Sequence, residues 1–128
     1  MTWIRTPTKR EVAQAPQWWA EYESLNLESS IDLQGADLRQ HLREMQFHIN
    51  RLKFIGKKPT LSQQYEILLH SLSEKWANEL LLIAHERRAN QKPVTFEYCA
   101  EELMKVWVEE NQDRIVREVM ASFPTSYP

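Results

Sequence analysis

The sequence is short of glycine, with only Gly35 and Gly56 in 128 residues. Phosphate-cradling loops, dinucleotide fingerprints and nucleophile elbows all need backbone conformations that glycine supplies, so none of these sites can be built here. A single cysteine, Cys99, excludes an internal disulfide. Long apolar runs are absent as well. The longest, around Leu80 to Ala84, is far below membrane-spanning length, and the start MTWIRTPTKR lacks the apolar core of a secretory signal. A cytosolic chain, with the nucleus as the alternative, is expected. Charge of one sign does not dominate: 16 basic and 18 acidic residues leave a formal net charge of -2. Such a balance offers no broad positive field for nucleic-acid phosphates.

What is present favours helix. Leu, Glu, Ala, Gln, Arg and Lys lose little freedom in a helix, and prolines mark the breaks between candidate segments. Thr8 and Glu11 form a capping pair, and Pro16 precedes Trp18, Trp19, Tyr22 and Leu25 in a first short helix. The polar run from Asn26 to Gly35 reads as a loop. From about Ala36, Leu38, Leu42, Met45, Ile49 and Leu52 alternate in steps of four and three, the clearest helical stripe in the chain. Gly56 is placed to take a left-handed C-terminal position, and Pro59 prevents continuation.

Thr60 with Gln63 then caps a helix carrying Leu61, Tyr65, Leu68, Leu69 and Leu72 inward. Ser73 reads as a fresh cap for a helix with Trp76, Leu80, Ile83 and Arg87 on one stripe. Leu81, Leu82 and Ala84 widen its apolar sector, which predicts a central position. After Asn90 and Pro93, Thr95 starts the last long helix, with Phe96, Cys99, Leu103, Val106 and Trp107 on one face. A polar patch from Glu109 to Arg114 separates these from Ile115, Val119 and Phe123, as if the helix left the core there to project toward a partner. Pro124 stops it. The sum is an all-α fold, a compact bundle of about five helices in one domain over 1–128, with a Trp-rich segment over 1–30.

Three stretches in order carry a resemblance: HINRLKFIGKKPT from His48, YEILLHSLSEKW from Tyr65, and VTFEYCAEELMKVWVEE from Val94. Together they resemble the capsid part of the Gag protein of copia-type retrotransposons, over roughly Leu38 to Gln112. The matching positions are Ile49, Leu52 and Gly56, then Ile67, Leu68, Leu69, Ser71 and Leu72, then Thr95, Phe96, Leu103, Glu109 and Glu110. Ser73 stands where the family usually has proline, and Trp76 where another aromatic is common. The resemblance implies a fold like the C-terminal domain of retroviral capsids, here over 36–123, that self-associates or joins a related Gag protein. It implies either the C-terminal capsid half alone or a truncated relative captured by a host, forming a particle or interfering with one. The zinc knuckle that usually binds RNA in the family has no counterpart here, so RNA packaging is not expected of this chain alone.

Other constellations have plainer readings. His41, Glu44 and His48 have a spacing that offers three zinc ligands on one helix side, yet they flank an apolar stripe where solvated polar residues belong. Cys99 falls on an inward face and reads as a structural thiol, not a nucleophile with His70 or His85. The basic pairs Lys9 with Arg10, Lys57 with Lys58, and Arg87 with Arg88 are read as solvated turns before they are read as a phosphate site. Neither an enzyme activity, a cofactor nor a small-molecule substrate is indicated. Five tryptophans are the oddity. Trp76 and Trp107 fit the core, whereas Trp3, Trp18 and Trp19, with Tyr22, either cover one end of the bundle or are candidates for a protein interface, as are Ile115 and Val119. The alternative to self-association is therefore a helical adaptor that binds a different protein through the Trp-rich N-terminal helix.

Overall fold

A computed structural model describes residues 5–27 and 38–122. Trp3, most of the loop read from Asn26 to Gly35, the helix start near Ala36, Phe123 and the stop at Pro124 lie outside the described residues. Among the described residues the fold is all-α, with seven helices and no strand: α1 (Lys9–Ala13), α2 (Ala15–Glu23), α3 (Leu38–Phe54), α4 (Leu61–Ser71), α5 (Glu74–Ala89), α6 (Phe96–Glu110) and α7 (Gln112–Ala121). Seven replaces the expected five because two segments break. Pro16 has no N–H to give to Val12, so the ladder cannot run through from α1 into α2. Asn111 turns its side chain onto the backbone, Nδ2 donating to the Trp107 carbonyl at 2.9 Å, and separates α6 from α7.

The expected ends mostly form as read. Thr8 and Glu11 make a reciprocal capping box on α1, and Thr60 and Gln63 make one on α4. The Thr95 hydroxyl accepts from Tyr98 N at 3.1 Å. Gly56 adopts φ 76°, with Lys57 N donating to Leu52 O at 2.8 Å and Gly56 N to Lys53 O at 3.0 Å, the paired bonds of a Schellman turn. Ser73 differs: it sits at the cap position of α5, but its side chain makes no capping bond. Past Asn90, the left-handed residue is Gln91, at φ 56°. A side chain there carries the Cβ strain that glycine would avoid.

The core is built on α3, whose buried face is Leu38, His41, Leu42, Met45, Ile49 and Leu52. Helix α2 lies along it through Ala15, Trp18 and Tyr22, and α6 packs against it through Phe96, Cys99, Leu103 and Trp107. Helices α4 and α5 close the far side of α6 with Leu68, Leu72, Trp76, Leu80 and Ala84. Two inward assignments are corrected. Leu61 is exposed, and its inward place on α4 is taken by Gln64, whose Nε2 donates to the Pro59 carbonyl at 2.9 Å. Leu81 and Leu82 are exposed too, so α5 is a peripheral helix and not the central one its apolar content suggested.

His41 is also corrected: it is buried, not on a solvated flank. Ser71 Oγ donates to the Leu68 carbonyl at 2.7 Å, so it accepts from His41 Nε2 at 2.8 Å. The geometry assigns the proton to Nε2 and leaves buried Nδ1 with no hydrogen-bond partner. Burial therefore lowers the His41 pKa, against a smaller opposing effect of Glu44. His48 is lowered in the same direction by burial and by Arg51.

Two stability predictions follow from these contacts. Thr60→Ala should lower unfolding stability by about 1 kcal/mol through loss of a used cap, whereas Ser73→Ala should change it by no more than a few tenths. Urea titration of the two variants separates them. Because the unfolded imidazoles titrate near 6.5 and the folded ones lower, stability is full above that value and is lost as pH falls through the folded pKa values. A denaturation midpoint falling between pH 7 and pH 5, with a shallower slope in His41→Gln, is the expected profile.

Candidate interaction surface

The N-terminal aromatics meet α3 through one cation. The Arg51 guanidinium lies 4.3 Å from the Trp18 ring centroid and 5.3 Å from that of Phe47, and it pairs with the Glu21 carboxylate. Trp19 leans on Tyr22 with centroids 5.8 Å apart, and Tyr22 stacks toward His48. An arginine between aromatic faces adds electrostatic attraction to apolar contact, and a carboxylate fixes its plane. Glu21 is held below the usual carboxylate range, chiefly by its hydrogen bond from Arg51. Burial pushes the Tyr22 phenol pKa up.

This cluster changes the reading of the tryptophans. Trp18 is 8% exposed and Tyr22 0%. Both are core residues in the isolated chain and offer no docking face. Trp19 is half-buried, packed on the core edge. The residue that protrudes is Phe47, which lies off the buried stripe of α3. That offset from the four-and-three spacing is a sequence signal that was there to be read.

Cys99 and the histidines do not converge on a reactive centre. The thiol is buried, and burial pushes its pKa up to about 11 despite Arg88 and Arg87, leaving it protonated near neutrality. His41 Nε2 points into the bundle at Ser71, while His48 lies beside Arg51. Among the described residues no three His, Cys, Asp or Glu side chains are grouped to hold a metal ion. Nor is any helix there long and apolar enough to cross a membrane.

The opposite end of the molecule has a different character. Helix α7 buries no residue. Ile115 packs partly against the core, but Val116, Val119 and Met120 are 53%, 49% and 63% exposed. Spaced by three and one, they form one face of the helix. Val108, near the end of α6, is exposed as well. Sequence reading found Ile115 and Val119 but missed Val116 and Met120, whose signal is the same four-residue step shifted by one.

An open groove of about 320 Å³ runs between α3 and α6, floored by Leu42, Phe96, Ala100 and Met104 and edged by Arg39, Arg43 and Glu101. A second hollow, about 460 Å³, continues past Met104 to Val108 and Glu109. Arg39, Arg43 and Glu101 are the charges at the groove itself, and the two helices differ in charge along their whole length. Helix α3 carries Arg39, Arg43, Arg51 and Lys53 against the single acid Glu44, while α6 carries Glu97, Glu101, Glu102, Glu109 and Glu110 against the single base Lys105. Shallow apolar floors with charged rims suit contact with another surface.

The family-type positions take structural places. Ile49, Leu52, Leu68, Leu72, Trp76, Phe96 and Leu103 are buried, Leu69 is half-buried, and Gly56 and Thr95 end or start helices. No family model matches the chain, and no curated protein or solved structure matches it.

If the α7 face is separate from the fold, polar changes there should be nearly silent in the dilute chain. Val116→Ser, Val119→Ser and Met120→Ser are each expected to alter unfolding stability by less than about 0.5 kcal/mol. Trp18→Ala should cost about 3 to 5 kcal/mol by opening the α2–α3 contact. Denaturant titrations at low protein concentration make the comparison.

Proposed function

We propose that the chain is a Gag-type capsid domain that works by homotypic association, in a particle or by joining and interfering with a related one. The observation that carries this reading is α7, a helix with an apolar face and no buried residue, set off from the bundle at Asn111. Isolated helices of ten residues are marginal in water, so such a face gains most of its stability from packing on another surface.

The resemblance over Leu38 to Gln112 supports the same reading. The positions that carry it take structural roles: Gly56 ends a helix, Thr95 caps one, and Leu52, Leu68, Leu72 and Leu103 are buried. The charge division supports repeated contacts, since α3 of one copy brought toward α6 of another pairs basic with acidic surfaces. Such head-to-tail contacts generate rings or open assemblies. The adaptor alternative loses two of its anchors, because Trp18 and Tyr22 are buried. We place the activity in the cytosol, between copies of this chain or with a related Gag protein.

Sedimentation velocity over a wide concentration range tests the reading. The weight-average sedimentation coefficient should climb with concentration at low salt and climb less at high salt, where charge contacts are screened. A coefficient that stays at the monomer value throughout would remove homotypic association as the function.

A further inference from the structure

We infer that α7 pairs with α7 of a second copy, antiparallel about a two-fold axis, with Asp113 of each copy facing Arg117 of the other. The inference rests on the capsid-type reading and specifies the surface it uses. A symmetric contact uses the same patch twice, so the patch must complement itself. In an antiparallel pair related by a two-fold, one flank of the helix faces the same flank of its partner.

Ile115 turns α7 toward its own bundle, which leaves Val116, Val119 and Met120 outward. The flank beside Met120 carries Asp113 and Arg117, one acid and one base four residues apart and both exposed. A two-fold through the 113–117 stretch therefore sets acid opposite base twice. Val116 lies near the axis, and Val119 and Met120 extend past the start of the second α7. A parallel pairing about an axis along the helices would instead set the Asp113 and Arg117 flank of one copy against the opposite flank of the other, where no such acid and base pair up.

Within its own helix Arg117 Nε donates to the Asp113 carbonyl oxygen at 3.4 Å, a long contact that the pairing exchanges for the partner copy's carboxylate. Arg114 and Glu118 lie on the far side of the helix and pair with each other at 3.3 Å. The contact is small. Ten residues of helix span about 15 Å, below what a standard stable interface uses, so the pairing is weak and concentration-dependent.

Charge exchange tests the pairing directly. Asp113→Arg gives a flank with two bases, and Arg117→Asp gives one with two acids; each variant alone should associate about tenfold more weakly than the parent, because the symmetry counts every repulsion twice. Mixed in equal amounts, the two variants should form heterodimers and recover association, read by sedimentation velocity with one variant fluorescently labelled. Fraying of α7 in either variant would not be cured by mixing, so recovery is specific to the proposed contact. Circular dichroism of each variant, read for helix loss, accompanies the mixing experiment. Parent association that survives both substitutions, or variants that stay folded yet fail to recover on mixing, overturns the α7 pairing and leaves the capsid-type reading standing. A parent that never associates overturns both.

Discussion

Helix α3 buries one whole face, and the neighbouring helices take their positions from it. Leu38, Leu42, Met45, Ile49 and Leu52 form a wall that α2 and α6 both lean on. His41, on the same face, adds a polar tie to α4 through Ser71. At one end of the stripe Arg51 reaches sideways to Trp18, Phe47 and Glu21, converting a general apolar contact into a directional one. Apolar burial supplies most of the driving force and little direction, whereas the cation between rings, and the single His–Ser hydrogen bond, fix how the elements sit. Among the described residues, α4, α5 and α6 complete the core on that wall, and α7 adds only the half-buried Ile115.

That sufficiency explains α7. Its apolar face comes after a core already covered by α6, and the Asn111 side chain caps the Trp107 carbonyl at the point where a continuing helix would need an uninterrupted ladder. Val116, Val119 and Met120 are therefore left exposed on an amphipathic helix, the feature from which the proposed contact with another copy is argued. The basic α3 and acidic α6 on either side of the shallow groove give that outside surface a preferred orientation, although the summed charge of the chain is close to zero. A near-neutral total had concealed two opposite fields.

Periodicity and capping chemistry made most of the fold legible in the sequence. Thr8, Thr60, Thr95 and Gly56 stand where local rules put them, because a cap or a left-handed turn is decided within four or five residues. Burial was less legible, since it depends on which elements meet. Leu61, Leu81 and Leu82 look like core residues and are exposed; His41 and Gln64 look like surface residues and are buried with hydrogen-bond partners. The left-handed end of α5 falls at Gln91, one residue beyond the asparagine that local preference singles out. The burial of Trp18 is not legible locally for a similar reason: one helix considered alone cannot show that an arginine 33 positions later lies over its ring.

The exposed face of α7 is proposed to serve another copy of the chain and not the bundle that carries it. Amide hydrogen exchange at low and high protein concentration addresses it most directly, because amides in a helix report whether that helix is covered. Concentrating the protein should slow exchange in Gln112–Ala121 while the amides of α3 stay unchanged. Equal exchange rates in α7 at both concentrations would contradict the claim.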